Sequence, residues 1–342
     1  MKPRINLMND YNYVAHPAIL TALADQQGER FTGYGTDGKT DQAKAAILEL
    51  FQTPGAEVHF IPAGTLTNLI TISAFLRPHE AVIAPATGHI FMHETGAIEA
   101  SGHKVLTAAT DDGKLRPDDI ISLVAAHTDE HMVKPRMVYI SQTTECGSVY
   151  TLAELAALRQ ACNQYKLLLF IDGARLACAA TSSSCDFSLP QMAQLADAIY
   201  LGGTKDGMLF GEALVICNPL LQDDFRFLIK QRGGLFAKGF LMGIQFLALL
   251  EDDLYLKLAA EANARAASLY EGLTQLGYDF EYVTESNLVI PIINNDQLAG
   301  LQEQIDFEIW GYPSANAIAI RFVTTWQTTA AEIQTVFELM TR

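Results

Sequence analysis

The sequence predicts an α/β protein: a large domain with a mostly parallel, doubly wound sheet flanked by helices, then a smaller C-terminal α+β domain. Three observations carry this. Short β-rich runs alternate with helical patterns from Glu57 to about Cys217, as in successive β-α-β crossovers. Two of those runs end in glycine turns that carry charge, Ile171-Asp172-Gly173-Ala174-Arg175 and Leu201-Gly202-Gly203-Thr204-Lys205. Past Asn218 the texture becomes helical before short strands return. The boundary is expected inside a long helix near 250–260. The division is therefore 1–252, with an N-terminal arm at 1–15, and 253–342.

Taken in order, residues 5–11 read as an extended arm leading into a helix over 17–27. Residues 28–38 form a glycine-rich loop with Tyr34 between two glycines. Thr40 is the expected cap of a helix to Phe51, whose Ala43, Ile47, Leu48 and Phe51 share a face. Residues 57–61 alternate as a strand, and Pro62-Ala63-Gly64-Thr65 turns it into a helix over 66–76. Strands follow at 81–84, 104–107, 137–141, 167–171, 197–201 and 213–217. Between them lie a turn and helix over 88–102 and helices over 117–126 and 152–165. Helices dominate 220–276, strands return at 288–293 and 318–323, and a last helix starts at Thr329. The apolar run from Leu235 to Leu250 reads either as core helix or as a subunit interface that delivers Lys238.

Composition narrows the function classes. The 342 residues carry a net charge of −16 and are 49% hydrophobic. Such a surface repels phosphate backbones and anionic lipid, which argues against nucleic-acid or membrane partners. Five cysteines, odd in number and without a Cys-x-x-Cys pair, suit reduced thiols in the cytoplasm. The N-terminus has no apolar signal core, and no segment reaches the roughly 20 apolar residues of a membrane span.

The charged strand exits point to chemistry. In a parallel sheet such exits share one crevice, so Asp172, Arg175 and Lys205 can converge. A lysine amine for a Schiff base, a carboxylate for a protonated ring nitrogen and an arginine for a substrate carboxylate suit pyridoxal phosphate. Read singly, Asp172 is also a plausible helix cap and Lys205 a solvated turn residue. Gly64 and Thr65, at a helix start, offer backbone N–H groups and a hydroxyl to an anion such as a phosphate, or simply cap that helix. His89 and His93 stand four apart, a spacing that can bind metal, but no third ligand suggests itself and no metal is expected. His89, after a strand-exit glycine, is better placed to lie flat on a cofactor ring.

Together, Phe60-Ile61-Pro62-Ala63-Gly64-Thr65-Leu66-Thr67-Asn68, the His89 segment, Ile171-Asp172-Gly173-Ala174-Arg175, Thr204-Lys205 and Ile320-Arg321 resemble the threonine aldolase and β-eliminating lyase family of pyridoxal-phosphate enzymes. The resemblance runs from Asn9 to the C-terminus and implies the aspartate-aminotransferase fold type. It implies that Lys205 carries the cofactor, Asp172 binds the pyridine nitrogen and His89 stacks on the ring. Gly64 and Thr65 would hold the phosphate, and Arg175 and Arg321 the substrate carboxylate. Tyr34 matches a tyrosine near the family's active site, and Lys238 a basic residue that reaches a phosphate across a subunit interface. The implied assembly is a homotetramer built from dimers with shared active sites.

The implied reaction cleaves a β-hydroxy-α-amino acid of the L-threonine type to glycine and an aldehyde, with β-elimination or amino transfer as the alternative. Three departures stand out. The family's Ser-Asp is Asn9-Asp10, its serine before the lysine is Thr204, and its Glu-Asn-Thr-His segment is Gln142-Thr143-Thr144-Glu145. A further family histidine falls near His131, one residue out of step.

Overall fold

The computed structural model describes residues 4–341. Its strands are β1 (Ile5–Asn6), β2 (Glu57–Ile61), β3 (Glu80–Pro85), β4 (Val105–Ala108), β5 (Lys134–Ser141), β6 (Leu168–Asp172), β7 (Ala198–Gly202) and β8 (Glu212–Ile216). The C-terminal part adds β9 (Leu288–Val289), β10 (Ile292–Asn294), β11 (Ile305–Asp306), β12 (Glu308–Ser314) and β13 (Ala317–Val323).

Strands β2 to β8 form one seven-stranded sheet in the order β2-β8-β7-β6-β5-β3-β4. The run from β4 to β7 is parallel, whereas β8 runs antiparallel to both its neighbours, β7 and β2, so the sheet is mixed. Alternating side chains feed two apolar layers: Leu169 and Ile171 of β6 join one, Leu168 and Phe170 the other. Burial on both faces explains why these strands read as continuous apolar runs.

A smaller sheet of β9, β10, β12 and β13 forms a third apolar cluster with the end of the helix Leu254–Gln275 and the helix Ala330–Met340. The arm joins this part of the molecule, because β1 pairs in parallel with β11. The helix Leu254–Gln275 serves both halves. Tyr255, Leu258 and Ala259 pack on the large sheet's cluster, and Ala266, Leu269 and Leu273 on the small sheet's.

Several local expectations are corrected. Asp37, not Thr40, caps the helix Gly38–Phe51: its carboxylate accepts from the Thr40 amide (2.9 Å) and hydroxyl (2.7 Å). Residues 88–102 hold two short helices, His89–Met92 and Ala97–Ala100, broken where Thr95 and Gly96 turn left-handed. Strand β12 was not expected, since Gly311 and Pro313 interrupt its pattern and its pairing with β13 slips register twice. In the run 235–250, the helix Phe240–Leu250 buries Met242, Phe246 and Leu249 within this chain, so most of the run is core.

Candidate active site

The parallel strands β5, β6 and β7 all point their C-terminal ends at one cleft of about 340 Å³. Asp172 ends β6 and Lys205 lies in the turn after β7, and both line the cleft. Their closeness depends on two glycines. A Cβ on Gly173 would sit 1.8 Å from the Tyr200 carbonyl oxygen, and one on Gly202 2.6 Å from that of Ala174. Without side chains the two exits can press together, joined by the Gly202 amide donating to the Gly173 carbonyl (3.0 Å). Gly173→Ala is therefore expected to destabilise the fold by about 1–3 kcal/mol, as other overpacking changes do. Thermal unfolding is the check, and an unchanged midpoint would mean the strand exits can part without cost.

Asp172 is buried and fully engaged. Its Oδ2 accepts from the Tyr139 hydroxyl (2.5 Å) and Asn68 Nδ2 (3.1 Å), and its Oδ1 from the Ala174 amide (3.0 Å). Burial alone would raise its pKa. The His89 charge and the bonds from Tyr139, Tyr200 and Ala174 outweigh that and hold it below the usual carboxylate value, so it stays ionised. Asn68 Nδ2 also donates to Glu94 Oε1 (2.8 Å), which accepts from His89 Nδ1 (2.8 Å). For His89, burial works to lower the pKa. The bond to Glu94 and the charges of Glu145 and Asp172 overcome it, and the imidazole is raised above its ordinary value.

The helix Gly64–Phe75 points its N-terminus at the same cleft, and its cap residue, Ala63, has no side-chain acceptor for the free amides. Glu212, which begins β8, also lines the cleft. Its carboxylate accepts from the Gly203 amide (3.0 Å) and the Thr204 hydroxyl (2.8 Å), and Thr204 Oγ1 accepts in turn from the Gly211 amide (3.1 Å). The cleft thus offers an amine, a buried carboxylate kept ionised, and the positive end of a helix at its rim. Those groups fit a ligand with an electrophilic carbonyl, a basic ring nitrogen and a phosphate.

The family model for beta-eliminating lyases matches residues 18–296. The chain belongs to this family. A solved structure, the threonine aldolase of Leishmania major, superposes on it with a TM-score of 0.97 at 45% identity, over 99% of each chain. The low specificity L-threonine aldolase of a Pseudomonas species is 34% identical over 310 residues, 88% of this chain and 87% of that protein. That of Pseudomonas aeruginosa is 32% identical over 332 residues, 94% of this chain and 92% of its own. The fold is that of the pyridoxal-phosphate enzymes of the aspartate-aminotransferase type, and pyridoxal phosphate is the cofactor of this lyase.

Within the lyase, the site residues expected from the sequence fall into three groups. Gly64, Thr65, His89, Asp172, Thr204 and Lys205 line the cleft together. Arg175, Arg321 and Asn9 lie in the surrounding structure. Arg175 is buried, with Nε 2.6 Å and Nη2 3.1 Å from the two carboxylate oxygens of Asp10 and Nη1 3.7 Å from Glu145. Burial would raise the Asp10 pKa, but the Arg175 and Lys205 charges hold it well below the usual range. Asn9 is half-buried beside Asp10 and accepts from the Tyr11 amide (3.2 Å). Arg321 is buried on β13, pairs through Nη2 with Glu308 and lies 4.8 Å over the Trp310 ring, while its Nε has no partner among the described residues.

Tyr34, Lys238 and His131 are elsewhere on the chain. The Tyr34 amide donates to the Ala237 carbonyl (2.9 Å), next to Lys238, which ties these two residues into one exposed unit. His131 is exposed on the loop before β5, at the end of that strand remote from the cleft. Sequence reasoning missed Asn68, Glu94, Tyr139, Tyr200 and Glu212 as parts of the site. A signal existed for some. Asn68 stands four residues after Gly64, hence on the same helix face, and Tyr200 puts a lone hydroxyl into an otherwise apolar strand.

Proposed function

We propose that this lyase cleaves β-hydroxy-α-amino acids of the L-threonine type to glycine and an aldehyde. The observation that carries the reading is the meeting of Lys205, Asp172 and the Gly64–Phe75 helix start at one cleft, in a chain 45% identical to a threonine aldolase. Pyridoxal phosphate, when bound, supplies the electron sink that lets the Cα–Cβ bond of an amino acid break. Lys205 would provide the amine that holds the cofactor. Asp172, kept ionised, would pair with the ring nitrogen and favour its protonated form. Gly64 and Thr65 would hold the phosphate at the helix end and His89 would hold the ring, with its Nδ1 proton fixed by Glu94.

Arg321, whose buried Nε–H has no partner among the described residues, takes the substrate carboxylate, and Arg175 supports it from its anchor on Asp10. That grip orients the Cα–Cβ bond, a positioning effect in its own right. The β-hydroxyl proton leaves to a base on the wall where His89, His93 and Glu145 stand. Incubation with L-threonine is expected to give glycine and acetaldehyde in equal amounts. Formation of a 2-oxo acid in their place would favour elimination or amino transfer and overturn the aldolase reading.

The enzyme acts as a homotetramer, a dimer of dimers, in the cytoplasm. Exposed Phe227, Phe236 and Tyr34 beside Lys230 and Arg226 support an interface there, and the five free cysteines support a reducing compartment. Tyr34 and Lys238, bound into one unit, then serve the cleft of the neighbouring protomer. Lys238→Ala is expected to weaken cofactor binding about tenfold, a loss of one charge-assisted contact. Hybrids with Lys205→Ala protomers should regain part of the activity by forming one intact site per pair. An active monomer in sedimentation would contradict this.

A further inference from the structure

We propose that Glu212 is the positioning residue of the lysine turn: its carboxylate fixes the Gly203–Thr204 backbone and sets the proton affinity of the Lys205 nitrogen once the cofactor is attached. This rests on Lys205 being the cofactor lysine and adds to it a residue that sequence reasoning did not assign.

The geometry is specific. Lys205 follows two glycines, a segment with little stiffness of its own. Glu212 restrains it from the next strand. One carboxylate oxygen accepts the Gly203 amide and the other the Thr204 hydroxyl, while the Gly211 amide closes the ring onto Thr204. The hydroxyl proton of Thr204 is thereby committed to Glu212, so Thr204 acts on the turn. Register does the rest: Glu212 pairs with Gly202 on β7 and with Ile61 on β2, so its backbone is held by a strand on each side.

A carboxylate has a second consequence that a neutral residue would not. Glu212 is buried and lines the same cleft as Lys205. Burial raises its pKa to about 7, against the pull of the Thr204 and Gly203 bonds and the Lys205 charge. The titratable groups that face it are Lys205 and Asp172 in the cleft, Tyr200 on β7, Asp206 in the turn and Tyr255 on the helix Leu254–Gln275. Of the acids, Asp172 is held ionised. Burial pushes Asp206 well above its ordinary value, toward the neutral form. Glu212, raised to about 7, changes charge around neutrality. Its negative form favours a proton on the Lys205 nitrogen and raises the pH at which that proton is lost.

The test follows the absorption of the bound cofactor against pH in the holoenzyme. Glu212→Gln is expected to lower the midpoint of the spectral transition by about half a pH unit or more, the sign and scale of losing a nearby opposite charge. Asp206→Asn should leave the midpoint in place. Thr204→Val keeps the carboxylate but cuts its bond to the turn. It should lower kcat about tenfold with KM little changed, and Thr204→Ser should restore kcat. An unmoved midpoint in Glu212→Gln, an equal shift in Asp206→Asn, or wild-type kcat in Thr204→Val would each overturn the proposal. If Glu212→Gln does not fold, the Thr204 pair decides. A wild-type holoenzyme without a cofactor band would refute the Lys205 reading itself, a different failure.

Discussion

Replacing Lys205 by alanine leaves a folded protein that still takes up pyridoxal phosphate weakly and turns threonine over at least about 10²–10⁴-fold more slowly, the scale of losing one positioned proton carrier. The fold should survive because Lys205 is half-exposed in its turn and its side chain makes no hydrogen bond among the described residues, the turn being held by Glu212. Cofactor uptake should persist because Asp172 and the Gly64–Phe75 helix start remain. Steady-state rates with L-threonine and the melting midpoint are the two measurements. Turnover at the wild-type rate would remove Lys205 from the chemistry, and a lost fold would make it structural.

Asp172→Asn is the second large effect. The amide keeps the shape of the side chain but loses the charge that three donors and His89 maintain. We expect kcat to fall by about 10²–10³, as when a preorganised electrostatic partner is removed, with a much smaller fall in cofactor affinity. The contrast arises because the protonated ring nitrogen matters most where charge develops. Because the Asp172 pKa is depressed, its charge is lost only below the ordinary carboxylate range, and the wild-type rate should show no Asp172 step around neutrality. Equal losses in rate and affinity would reduce Asp172 to an anchor.

Much of the large sheet could be read from the residues because periodicity and punctuation agreed there. The helix Leu152–Tyr165 begins and ends where its pattern does, with Thr151 and Glu154 forming a capping box. Strand β2 is flanked by Gly55 and by Pro62, and its residues were read without error. Reading failed where the backbone does something side chains do not announce. The helix after β2 starts at Gly64, two residues earlier than expected, since a glycine was taken as turn when it is the first helical residue. Strand β12 carries a glycine, a proline and two register shifts, any of which conceals a strand.

The site divided along a similar line. Residues that end strands or open helices, such as Asp172, Lys205 and Gly64, declared themselves by position. The groups that tune them come from side chains brought close only by folding. Glu94 reaches back to His89 just past the end of the short helix His89–Met92, and Asp10 reaches Arg175 from 165 positions away. No local pattern encodes such pairs.

The most direct test of the account is where the cofactor is attached. Purified holoenzyme is reduced with borohydride, digested and mapped by mass spectrometry. The account predicts that the reduced pyridoxyl group sits on Lys205, in the peptide that begins after Arg175 and contains Gly202, Gly203 and Thr204. The label on another lysine, or none on any, would contradict it.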